Sequence, residues 1–523
     1  MGWWKPSVSS VCRWVAAAAL SLGCAANRLE RPPAATQAAQ STPPSGATSS
    51  GERWLELETP HFVVHTDSYP ERAIELTKQM EQARAMLLAA AWPMARDPGG
   101  RTHVLIFAKP SDFKRYSGMP GMTVGVAITR SDTDRTIAFT PGADGGVPQV
   151  AIHELAHDLS QWFLPLQPAW LAEGLAVYLQ NTRYDAAKGQ VVMGEASEDS
   201  LRWLKEAKFF ASAQKLFGQT SPHSDDPRDV ATFYVGSWFL VTYLMNGQIE
   251  AFNGFQKQLH QLVPWRRAWD ESFAGMTTAE LDQRLVGYAK QGGNITIVSI
   301  DAQLPVVEPE LRALSAAQSH GVKALLASSF APEVAERELQ AALALDPNEL
   351  HALAAQFRAA SDNGSPALLR GIAERAVAAH PDAGEAWYLQ AQVATEAAAQ
   401  RRALVQAAKL APKHPGVALL VAESALANGN AARALELARY AMRRTALSPR
   451  LLGLYAAALE GTGRCQEATA IAANSSDLFS SGCSWRSSKE SPEMSCAAYV
   501  QSRIGSPLAP CQPKPASARA ATH

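Results

Sequence analysis

The sequence lacks a surplus of either charge: 48 Lys and Arg stand against 49 Asp and Glu, a formal net charge of -1 over 523 residues. With no basic excess, no nucleic-acid partner is expected, and with no acidic block there is no charged interaction tail. Long hydrophobic runs are missing too. No apolar stretch reaches the ~20 residues that a spanning helix needs, so a folded membrane domain is excluded. Cysteine is scarce, six in all with no CxxC spacing, which gives no support to a thiolate metal site. What is there is the composition of a globular protein, 47% hydrophobic and 19% charged. Its length suggests two or three domains.

The cysteines divide into two groups. Cys12 and Cys24 lie near the N-terminus, where Lys5 and Arg13 precede "VAAAALSLGC". A basic start, a brief apolar run and small residues make up the layout of a secretory signal over residues 1–26. "LSLGC" resembles a bacterial lipobox with Cys24 as the lipidated residue, although Ser21 stands where an aliphatic residue is usual. Cleavage after Ala26 and a merely apolar N-terminus are the alternatives. Residues 27–52 are rich in Pro, Ser, Thr and Ala and read as a flexible tether. Cys465, Cys483, Cys496 and Cys511 cluster near the C-terminus. In an exported chain they suggest two disulfides with three possible pairings, or else free thiols.

Between these ends the pattern changes twice. "HFVVHTD" (61–67) and "THVLIFA" (102–108) read as strands around a helix over 71–91. "VGVAITR" and "RTIAFTP" flank "SDTD" as a hairpin. Helices are expected at 147–163, 169–180, 200–208, 231–245 and 278–290, so residues 53–292 form an α+β domain. From Pro305 the chain becomes alanine-rich. Helical segments recur up to Pro347, Pro381, Pro412 and Pro449, at intervals of 34, 31 and 37 residues. That period matches tetratricopeptide-type repeats over 305–475, which would fold separately; an irregular alanine-rich bundle is the plainer alternative. Residues 476–523 are expected to be largely disordered apart from any disulfides.

The chemistry concentrates in "AIHELAHDLSQWFLPLQPAWLAEGLAVY" (151–178). His153 and His157 are four apart, one turn of helix, so both imidazoles can reach one metal ion. Ile152, Ala156, Leu159 and Phe163 form a separate stripe suited to the core. Glu154 follows the first histidine and can serve as general base toward the attacking water. Catalytic zinc takes three protein ligands and an open position, and two histidines with a glutamate are one known set. Glu173 supplies the carboxylate from a second apolar helix, where a carboxylate without a cation would be costly to bury. The expectation is one Zn2+ held by His153, His157 and Glu173.

"HELAH" with "PAWLAEGLAVY" resembles the gluzincins, and more narrowly the bacterial peptidase MA-like family that joins this domain to tetratricopeptide repeats. The resemblance spans about residues 54–291, including "FYVGSWFLVTYL" and "FAGMTTAELDQRLVGYA". It implies a zincin-like fold, metal ligands at His153, His157 and Glu173, and Glu154 as the catalytic base. Metzincins are excluded, because Ser160 and Phe163 stand where their glycine and third histidine would be. Val177 occupies the position of an aspartate that supports a ligand in thermolysin-like enzymes, so that support must come from elsewhere. Tyr234 and Tyr178 are candidates for the donor to a developing oxyanion, against the plainer reading of core tyrosines. His223, in a polar loop, reads as merely exposed. A strand within 124–140 is a candidate edge for aligning an extended peptide.

The resulting expectation is an exported zinc metallopeptidase of the cell envelope, membrane-anchored through lipid on Cys24. Its substrate would be a peptide or protein, and the repeats would recruit a protein partner. The rival is a repeat-based binding or assembly protein that uses a metallopeptidase fold as scaffold.

Overall fold

The computed structural model describes residues 54–473, apart from 94–97, 119–124, 129, 131–132, 143–144, 197–211, 220–226, 291–296 and 364. The leader with Cys24, the tether, the helix expected at 200–208, His223 and the tail beyond 473 lie outside the described residues.

The N-terminal part is built on a six-stranded sheet in the order β4-β5-β3-β2-β1-β9. Strands β1 (Leu55–Glu58) and β2 (Phe62–Thr66) form an antiparallel pair. Helix α1 (Pro70–Ala91) then crosses over to β3 (Thr102–Ile106), parallel to β2. After α2 (Pro110–Ser117), the expected hairpin appears as β4 (Gly125–Ile128) and β5 (Thr136–Phe139). It leaves β4 at the sheet's edge.

Side chains alternate along the strands. Leu57, Val64, Val104 and Ile106 enter a core shared with α1, α3 (Gln149–Phe163) and α4 (Ala169–Leu179), which defines the front of the sheet. The same core takes in residues of α5 (Ala213–Gly218), α6 (Pro227–Gly247), α7 (Ile249–His260), α8 (Trp265–Ser272) and α9 (Thr278–Lys290). A second, three-stranded sheet orders β6 (Arg183–Asp185), β7 (Gln190–Met193) and β8 (Val298–Asp301), none of which the sequence pattern had indicated.

The C-terminal part is helical. Its helices are α10 (Ala316–Ala327), α11 (Pro332–Leu345), α12 (Leu350–Asn363), α13 (Pro366–Ala379) and α14 (Gly384–Val393), followed by α15 (Ala397–Leu410), α16 (Pro415–Ala427), α17 (Ala431–Arg444), α18 (Pro449–Gly461) and α19 (Cys465–Ala473). Every second helix starts at Ala316, Leu350, Gly384, Pro415 and Pro449, at intervals of 34, 34, 31 and 34 residues. Helices α11, α13 and α15 stop just before Pro347, Pro381 and Pro412, as the proline pattern suggested. Pro449 acts otherwise: it opens α18, at a position where its missing N–H costs nothing. Small residues set the spacing between helices. A Cβ on Gly384 would stand 2.5 Å from that of Ala411. Cys465 is disulfide-bonded.

The two parts share structure across the change of composition at Pro305. Residues 310–313 form β9, which pairs with β1 and extends the sheet. All four of its residues are exposed, so it shows no alternation that would reveal a strand. On the back of the sheet Leu105 and Phe107 pack with Leu314, Val322 and Leu326. At the far end, Leu166 and Leu262 enter the core of α17 and α18. Among the described residues no helix is long and apolar enough to cross a membrane.

Candidate metal centre

Helix α3 buries Ala151, Leu155, Ala156, Leu159 and Phe163. His153 and His157 therefore emerge one turn apart on its other side, while Ile152, expected in the stripe, is only half-buried. Hydrogen bonds pin the C-terminal half of this helix. Thr102 on β3 donates to Asp158 (2.6 Å), beside His157. At the C-terminal end, where the last carbonyls have no partner within the helix, Arg443 donates to the Trp162 carbonyl (2.6 Å). Gln161 donates in turn to the Met442 carbonyl (2.9 Å).

Helix α4 is apolar nearly all round. Trp170 stacks on Phe217 and Phe255, with ring centroids 5.5 and 6.2 Å away. Gly174 faces α6, and a Cβ there would lie 2.5 Å from the Ser237 carbonyl oxygen. The glycine of "AEGLA" thus permits a close helix crossing that any side chain would push apart. Its neighbour Glu173 points toward α3.

There the three expected ligands converge. His153 Nε2 lies 3.1 Å from His157 Nε2 and 3.4 Å from Glu173 Oε2. His157 Nε2 stands 3.2 Å from the same Glu173 oxygen. Each side chain is only 12–13% exposed. Among the described residues this is the one His/Cys/Asp/Glu group close enough to share a metal ion. Tetrahedral donors ~2.0–2.1 Å from zinc stand about 3.3 Å from one another. The observed separations fit that value, and two imidazoles with one carboxylate are a donor set zinc accepts. Burial works against charge on His153, but the hydrogen bond and charge of Glu173 raise its pKa above the ordinary value. Burial would equally lift the Glu173 carboxyl, yet the two imidazoles hold it far below the carboxylate range. Donors of this kind, packed this closely, suit a cation at their centre.

Glu154 is half-buried beside them, and its charge acts on both His153 and Tyr234. The ring of Tyr234, on α6, lies 6.2 Å from that of His153. Burial, then the charges of Glu173 and Glu154, push its phenol up, so it stays a protonated donor. Tyr178 is placed otherwise. It is buried and lines a small pocket with Trp92, Met193 and His260, a lining that includes none of the three expected ligands. The sequence reading missed Gln180, whose Oε1 lies 3.1 Å from His153 Nδ1. A signal was present: Gln180 follows Glu173 by seven residues, two helical turns, and so shares its face. No protein-family model and no curated protein matches this chain.

Proposed function

We propose that the protein is a zinc metallopeptidase with a zincin-like domain followed by tetratricopeptide-like repeats. The observation that carries this reading is the trio of donor atoms 3.1, 3.2 and 3.4 Å apart on two packed helices. His153, His157 and Glu173 would hold the ion. When bound, zinc supplies a Lewis acid that polarises the scissile carbonyl and lowers the pKa of water. Glu154 takes the proton from the attacking water and returns it to the leaving amine. Tyr234, kept protonated by its surroundings, donates to the oxygen that gains charge. Strand β4, at the end of the sheet, offers a backbone ladder along which an extended peptide substrate can be aligned. The repeats recruit a protein substrate or partner. The chain works in the cell envelope after export, tethered to a membrane through lipid on Cys24.

The test is metal analysis of the purified full chain, paired with digestion of a proteome-derived peptide mixture. One zinc per chain and peptide hydrolysis are expected, with both lost together in His157→Ala. A folded parent protein that takes up no zinc, and cuts nothing when zinc is supplied, overturns the reading.

A further inference from the structure

We infer that Gln180 is a positioning residue for His153, a neutral amide in the supporting role that Val177 cannot fill; this rests on the zinc reading above. The imidazole can offer Nε2 to a metal only if its proton sits on Nδ1. Nε2 of His153 already points into the cluster, 3.1 Å from His157 Nε2 and 3.4 Å from Glu173 Oε2. Nδ1 points the opposite way, 3.1 Å from Gln180 Oε1. That carbonyl oxygen accepts the Nδ1–H, which fixes both the tautomer and the rotation of the ring. Val177, one turn after Glu173, is apolar and buried, and has no atom that could accept this proton.

The geometry explains why the support comes from Gln180. It is the C-cap of α4 and retains helical dihedrals (φ -60°, ψ -23°). Its side chain therefore leaves from the face that carries Glu173, two turns earlier. One helix thus supplies both a ligand and the residue that orients another ligand. An amide also differs chemically from a carboxylate. It accepts the hydrogen bond, and so orients the imidazole, without placing a further negative charge beside it.

The experiment measures zinc affinity of the full chain by competition with a chromophoric chelator, in the parent, Gln180→Leu and Gln180→Glu. Gln180→Leu, close in size but without an acceptor, should weaken zinc binding by about 10- to 100-fold. Gln180→Glu restores the acceptor and should bind at least as tightly as the parent. Melting of the parent and Gln180→Leu in excess chelator should coincide, since the residue acts on ligand orientation. Equal zinc affinity in the parent and Gln180→Leu overturns the inference while leaving the zinc reading intact. Weakening in Gln180→Leu that Gln180→Glu does not relieve overturns it as well, because the acceptor would then not be the cause. A parent with no zinc affinity overturns the zinc reading and, with it, this inference.

Discussion

Two clusters of imidazole and carboxylate lie on opposite faces of the six-stranded sheet, and they satisfy their charges differently. On the back, strand register makes Glu56 the cross-strand partner of both His65 and Arg312. Glu56 Oε2 accepts from His65 at 2.8 Å, and Oε1 accepts from Arg312 at 2.5 Å. This cluster contains its own cation. On the front, the cluster consists of two imidazoles and a carboxylate, brought together by two packed helices. Residue types alone do not separate the cases. What separates them is whether the fold brings a guanidinium to the carboxylate or leaves several lone pairs aimed at one point.

The sharpest break in this comparison is Glu154→Gln. The amide cannot accept a proton from water, yet the three donors beside it are untouched. Hydrolysis should fall by about 10²- to 10⁴-fold, the usual cost of losing a general base, while zinc content stays at the parent level. Activity should be followed on any peptide the parent cleaves, with metal analysis on the same preparations. Full activity in Glu154→Gln would refute the assigned role.

The front cluster was legible in the sequence because its contacts are local. His153 and His157 are one turn apart, and Glu173 follows in the next helix, where a carboxylate among Trp170, Leu171 and Leu175 called for a partner. The back cluster was not legible. Glu56 and His65 are nine residues apart on adjacent strands, but Arg312 comes 256 residues after Glu56. Its strand, "ELRA", is exposed at every position, so periodicity gave no sign of it. The repeating helix pairs were visible because proline and alanine mark them locally. Their attachment to the sheet-containing N-terminal part was not, since it depends on single side chains such as Arg443 and Arg444 at the end of α17.

That attachment predicts the next largest effect. Arg444 is buried and reaches from α17 to Asp134 (2.8 Å from Nε) and to the Arg101 carbonyl (3.3 Å). Removing one member of a buried pair strands the other charge. Arg444→Ala should therefore cost about 3–5 kcal/mol of stability. The exposed pair Arg450–Glu423, wholly within the helical region, provides the control, and Arg450→Ala should cost no more than about 1 kcal/mol. Urea unfolding of the three proteins measures both. Equal effects would mean that the helical region is not held to the N-terminal part in the way described.

The smallest effect concerns the back cluster and its response to acid. Burial pulls the His65 pKa below its ordinary value, and nearby His351 adds to this, against the hydrogen bond that His65 donates to Glu56. Burial would raise the Glu56 carboxyl, but His65 and Arg312 outweigh it and bring the pKa down to about 2. Both shifts act in the same direction. Below about pH 6.5 the unfolded chain protonates His65 more readily than the native protein does. Below about 4.5 the same becomes true of Glu56, and its contribution is lost as the pH falls toward 2. Stability should therefore fall on acidification, with Glu56 accounting for about 2 kcal/mol, because Arg312 remains half in water and is screened. Urea unfolding in excess chelator, between pH 7 and pH 3, keeps the front cluster from contributing through metal release. The gap between the parent and Glu56→Gln should narrow steadily below about pH 4.5, as Glu56 itself takes up a proton. A gap that stays constant across this range would show that Glu56 stabilises the sheet by packing alone, without the charge its two partners hold in place.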